Sequence, residues 1–97
     1  MSFTLHPEVE NDLLDAANYL RLNASPKTAA RFLQEFERVA KLLVEFPGFG
    51  TPMSRNRRIY PLKVFKYSVV YRVVEGYVRV LVVRHQKRKP SFGGDRT

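Results

Sequence analysis

Apolar residues recur three and four positions apart along Ala29, Phe32, Leu33, Phe36, Val39, Ala40, Leu43 and Phe46, between Ser25-Pro26 and Pro47-Gly48. That spacing lines one face of an α-helix about six turns long. Ser25 suits the N-cap, and Pro26 suits the first helical position, where its missing N–H would have no partner anyway. Pro47-Gly48 stops the run. So wide an apolar face must be buried against another surface, and the preceding segment supplies one. Val9, Leu13, Ala16, Ala17 and Leu20 form a second stripe behind Pro7, ending around Leu22. Glu8, Glu10 and Asp12 sit in its first turns, where solvation and the positive end of the helix dipole account for them. A break at Asn23-Ala24 makes the two helices an antiparallel hairpin. The aromatic rings at helical spacing belong to the core.

The flanking segments read as strands. Ser2 to His6 alternates Phe3 and Leu5 with polar residues, a short strand. Gly48, Gly50 and Pro52 mark residues 47–56 as a loop. Arg58–Phe65, Tyr67–Glu75 and Tyr77–His85 follow as strands, the last two joined by a turn at Glu75-Gly76. Pro61 cannot donate to a ladder, so its strand is an edge, or bulged or bent there. The order β-α-α-β-β-β predicts an α+β fold, a helical hairpin packed on a mostly antiparallel, curved sheet. The 97 residues suit a single domain, with residues 93–97 as a loose tail. Tyr67, Val69 and Tyr71 share one sheet face, and Val70 and Arg72 share the other. Alternation does not say which face meets the helices. Arg72 is therefore either a half-buried ion-pair residue or part of the open face.

Charge is unevenly divided. Residues 1–54 hold 5 Lys/Arg and 7 Asp/Glu, whereas residues 55–97 hold 12 Lys/Arg against Glu75 and Asp95 alone, a net of +10. Segregation on this scale favours a polyanionic partner, a nucleic acid or an acidic protein segment. Two clusters stand out as candidates for contact with such a partner: Arg55, Arg57 and Arg58, then Arg84, Lys87, Arg88 and Lys89. Other chemistries lack their residues. The chain has no cysteine and only His6 and His85 as histidines, so no zinc spacing exists and no metal is expected. No glycine-rich phosphate loop or serine-nucleophile motif is present, and no cofactor is expected. Neither a membrane span nor a signal-peptide pattern is seen, which predicts a cytoplasmic protein.

These elements resemble the RelE/ParE toxin superfamily of type II toxin–antitoxin systems along nearly the whole chain. The resemblance rests on Ser25-Pro26 opening the second helix and on Glu45-Phe46-Pro47 followed by Gly50 at its end. It continues through Phe65-Lys66-Tyr67-Ser68-Val69-Val70-Tyr71-Arg72-Val73 and closes with His85-Gln86-Lys87-Arg88-Lys89-Pro90 and Phe92. The closing His-x-x-Arg-x-Pro-x-aromatic segment is similar to the ParE-like branch, with Phe92 where many relatives carry Trp. That branch implies a non-enzymatic poison that binds DNA gyrase and stabilises its cleaved-DNA state. It also implies neutralisation by a cognate antitoxin whose acidic, disordered segment folds on contact. The RelE-like branch implies the alternative, a ribosome-dependent mRNA endoribonuclease whose partners are the ribosome and mRNA.

Cleavage by the RNA 2′-hydroxyl needs a base, an acid and cations on the phosphate. His85 is the natural acid/base, with Arg88 and Lys63 as candidate cations. His6 lies elsewhere in the order. Ser68 stands near where RelE-like nucleases carry an arginine, and no tyrosine follows Pro90.

Overall fold

A computed structural model describes residues 2–97. The elements run β1 (Ser2–Leu5), α1 (Pro7–Asn23), α2 (Pro26–Glu45), a single 3-10 turn at Pro47–Phe49, β2 (Thr51–Met53), β3 (Arg57–Pro61), β4 (Tyr67–Val74) and β5 (Tyr77–His85). The strands form one sheet in the order β1-β5-β4-β3-β2. β1 runs parallel to β5, and the other pairs are antiparallel. The fold is the expected α+β arrangement.

The capping signals do what their chemistry predicts. Ser25 Oγ accepts the Thr28 N–H at 3.0 Å, and Pro26 opens α2. At the start of α1, His6 takes the capping role, its Nδ1 accepting the Glu8 N–H at 3.1 Å. Phe32, Phe36, Val39, Ala40 and Leu43 of α2 then bury against Val9 and Ala16 of α1 and against one face of the sheet, made by Val69, Tyr71, Val78, Val80 and Val83. Phe32 lies at the centre, edge-on to Phe65 at 5.5 Å and to Tyr67 at 5.0 Å. The helices therefore cover the Tyr67–Val69–Tyr71 face. Leu33 and Phe46, counted in the α2 stripe, are 42% and 44% exposed.

Four details differ from the sequence reading. The loop at residues 47–56 contains β2, a three-residue edge strand that tolerates Pro52 because an edge residue needs no partner on its outer side. The strand expected over residues 58–65 stops at Pro61, and the turn beyond it places Val64 at φ 73°, a left-handed conformation that β-branched residues rarely adopt. In β5 the register slips between the pairs Val70↔Val82 and Tyr71↔Val80, leaving Leu81 as a bulge. The bulge turns Leu81 and Val82 to the side away from the helices, while Val80 and Val83 stay in the main core.

The fourth difference concerns residues 93–97, which are docked rather than loose. The segment crosses the sheet face opposite the helices, with Phe92 on Val70, Leu81 and Val82. Gly93 lies so close to Val82 that a Cβ would come within 2.4 Å of its Cγ2, and its φ of 75° also suits glycine. Arg96 secures the end, pairing with Asp12 of α1 at 2.6 Å. Asp12, read from the sequence as a solvated carboxylate in the first turns of α1, is 8% exposed. It reaches the edge of β5 beyond Val80, where β1 has ended, and accepts the Val83 N–H at 3.0 Å. Arg96 also donates to the Leu81 carbonyl at 3.0 Å. Side chains thus take over the edge that no strand covers.

Candidate target-binding face

The sheet face away from the helices carries arginine at regular positions. The register sets Arg72 of β4 opposite Arg79 of β5 and Ser68 opposite Arg84, and places Arg57 next along β3 from the Arg58↔Tyr71 pair. Between these cations lies an apolar centre of Ile59, Val70, Leu81 and Val82, covered by Met53 and Phe92. Arg72 is on this open face. It makes no ion pair among the described residues; Nη2 donates to the Arg55 carbonyl at 3.2 Å, and Nε is buried without an acceptor.

Members of both basic clusters, some thirty positions apart in the chain, meet here around the C-terminal segment. Arg84 donates to the carbonyls of Pro90 at 2.7 Å and Phe92 at 3.3 Å. Arg55 donates to the Gly94 carbonyl at 2.6 Å, and the Arg88 guanidinium lies 4.1 Å from the centre of the Phe92 ring. Arg79 donates to a main-chain oxygen of Thr97 at 3.2 Å. Arg57 and Arg84 are 6% and 8% exposed. Burial pushes the Arg84 pKa down, and the nearby Arg57 charge pushes it further. Among the described residues no Asp or Glu side chain pairs with these guanidiniums; main-chain and hydroxyl oxygens accept from most of them, while Arg57 Nη1 and Arg72 Nε find no acceptor. The face is a concentration of positive charge that internal acids do not neutralise.

Three predicted contact residues lie apart from this convergence. Arg58 points its guanidinium to the carbonyls of Gly50 at 2.7 Å and Gly48 at 3.3 Å, bracing the connection between α2 and β2. Lys87 and Lys89 are exposed beyond β5.

The match that decides the family covers residues 3–90, which fit the ParE toxin of type II toxin–antitoxin systems, parDE. The chain belongs to the ParE toxin family. Toxin ParE2 of Mycobacterium tuberculosis, in strains CDC 1551 / Oshkosh and ATCC 25618 / H37Rv, is 31% identical to it over 88 residues, 90% of this chain and 83% of the relative. The chromosomal ParDE TA system from P. aeruginosa includes a chain that superposes with a TM-score of 0.78 at 22% identity, covering 88% of this chain and 95% of that one. That likeness bears on the fold. Among the described residues, no helix of this ParE-family toxin is long and apolar enough to cross a membrane.

The residues that a nuclease would use are only partly gathered. His85 and Arg88 share a small cleft with Asp15, Tyr19 and Tyr67 between α1 and the ends of β4 and β5. His85 stacks edge-on with Tyr67 at 5.1 Å, and its Nδ1 accepts the Lys87 N–H at 3.0 Å, which leaves Nε2 for other work. Burial raises the Tyr67 pKa, so the phenol keeps its proton near neutral pH. Lys63 lines a different cleft, with Arg31 and Arg38 of α2. Its backbone N–H donates at 2.7 Å to Glu35, whose carboxyl Arg38 holds below its ordinary range. The chain thus offers one imidazole with cations and a neutral phenol around it, and Lys63 stands outside the group.

In the sequence Arg72 stands open between an ion pair and the exposed face, Arg79 and Arg96 carry no signal of their own, and Asp12 reads as a solvated acid. The register of β4 and β5 places Arg72 and Arg79; nothing local in the sequence marks Asp12 as the partner of Arg96.

Proposed function

We propose that this ParE-type toxin acts in the cytoplasm by binding DNA gyrase, without cutting RNA, and that its arginine-bearing sheet face makes the contact. The observation that carries this reading is the convergence of Arg55, Arg57, Arg84 and Arg88, members of both basic clusters, around the C-terminal segment, in a chain whose family membership fits a binding poison. Surface arginines pair well with phosphates and carboxylates and supply electrostatic steering to a large anionic target. An antitoxin with an acidic amphipathic segment neutralises the toxin by covering the same charges, and its rate of association falls as salt rises.

A ribonuclease reading has one observation in its favour, the shared cleft of His85, Arg88, Tyr19 and Tyr67. Expression of the chain without antitoxin separates the two. Filamentation and DNA breaks with intact messages are expected. Message cleavage at ribosomes, abolished by His85→Ala, would replace the gyrase reading with the ribonuclease. Normal growth at high toxin levels would remove both and leave a fold without toxicity.

A further inference from the structure

One cleft, of about 490 Å³, opens between the β2–β3 hairpin and the C-terminal segment. Ser54, Arg55 and Arg57 line one side, and Ser91, Gly94 and Asp95 line the other. Arg57 is the unusual member. It is 94% buried, being 6% exposed, yet its Nη1 has no acceptor, and its Nε makes a single long bond of 3.3 Å to the Ser54 carbonyl. The ion pairs among the described residues are Glu35–Arg38, Glu37–Lys41 and Asp12–Arg96, so no carboxylate serves Arg57 or Arg55. The second buried guanidinium, Arg84, adds like charge nearby. A buried cation without a counter-charge is unfavourable, and an anion that reaches it recovers that loss.

The donors around the cleft select the anion. Two guanidiniums present planar forks, and the Ser54 and Ser91 hydroxyls have no hydrogen-bond partner of their own among the described residues. Donor-bearing side chains on both walls suit a tetrahedral group with several acceptor oxygens better than a planar carboxylate with two. Arg55 is held at φ 61°, with its guanidinium spanning to Gly94 across this space. Asp95 stands exposed on the rim and pairs with neither arginine. Its charge disfavours a dianion more than a singly charged group.

We infer that this cleft binds a phosphoryl oxyanion, with Arg57, Arg55 and the hydroxyls of Ser54 and Ser91 as its donors. The rim carboxylate makes a phosphodiester the better ligand than free phosphate. The site's chemistry is independent of whether gyrase is the target, and so is its test.

The full-length protein, labelled with nitrogen-15, is titrated with sodium phosphate and separately with a dinucleoside monophosphate. Sodium chloride and sodium acetate at equal ionic strength are the controls. Saturable shifts of the Arg57 Nε–H and of the Ser54 and Ser91 amides are expected with both phosphates and with neither control. Tighter binding of the diester is expected and identifies a nucleic-acid backbone as the source; tighter binding of phosphate would overturn the preference assigned to the rim carboxylate and identify the free ion. Arg57→Gln weakens binding about tenfold, the scale of a charge-assisted hydrogen bond. Arg21→Gln, which removes the same charge from the exposed end of α1, leaves it unchanged. Ser91→Ala, at an exposed position outside the strands, weakens binding too and carries the test should Arg57→Gln not fold. Equal shifts with acetate, full binding by both the Arg57 and Ser91 variants, or equal weakening by Arg21→Gln would overturn the assignment.

Discussion

Replacing Asp12 with alanine lowers the unfolding free energy by about 3 kcal/mol, the lower end of what removing one partner of a buried ion pair costs. The carboxylate serves two purposes. Its oxygens pair with Arg96 at 2.6 and 3.2 Å, and one of them accepts the Val83 N–H at 3.0 Å. Alanine leaves a guanidinium in poor solvent and an edge N–H of β5 with no partner. Arg96 keeps 11% side-chain exposure, so it turns partly to water, which sets the estimate at the low end. A loss of about 3 kcal/mol is a large share of the stability of a domain this size. Urea unfolding of both proteins checks it. A difference below about 1 kcal/mol, the scale of an exposed pair, would mean that the contact contributes no more than a surface salt bridge. Arg96→Ala should also loosen the C-terminal segment, seen as faster amide exchange at Gly94 and Arg96.

The second large effect lies at Gly50. Tyr71 is fully buried, and its hydroxyl accepts the Gly50 N–H at 2.8 Å and donates to the Pro47 carbonyl at 2.7 Å. One side chain therefore pins the connection from α2 into β2. A Cβ on Gly50 would lie 2.5 Å from that hydroxyl and 2.7 Å from the ring carbon Cε1, and the ring has nowhere to go. Gly50→Ala is expected to cost about 2 kcal/mol through overpacking. Tyr71→Phe costs a similar amount by leaving Gly50 N–H unpaired in the interior. The two changes are not additive, because removing the hydroxyl relieves the closest clash. Thermal unfolding of the two single variants and the double variant tests this; strict additivity would place the alanine methyl elsewhere than against Tyr71.

The helical hairpin was legible because its signals are local. Ser25-Pro26, Pro47-Gly48 and the apolar spacing between them act within one or two turns. The sheet face was not legible, since alternation in β4 separates Tyr67, Val69 and Tyr71 from Val70 and Arg72 without saying which set is covered. That depends on where α2 delivers Phe32. Asp12 reads as a solvated acid of the first turns in any local view, and its burial follows from β1 ending at Leu5 and exposing the β5 edge. Gly93-Gly94 resembles a flexible end in composition, yet Gly93 is glycine where the chain passes over Val82. The basic clusters were visible as charge; their meeting depends on the C-terminal segment crossing the sheet, which no spacing encodes.

Purified DNA gyrase, relaxed plasmid and the antitoxin-free toxin provide the direct test of a binding poison. Supercoiling is expected to fall as toxin is added, with linear DNA appearing when the reaction is stopped with detergent and protease, while ribosomes programmed with message leave that message whole. Undisturbed supercoiling together with cleavage of the ribosome-bound message would contradict the account.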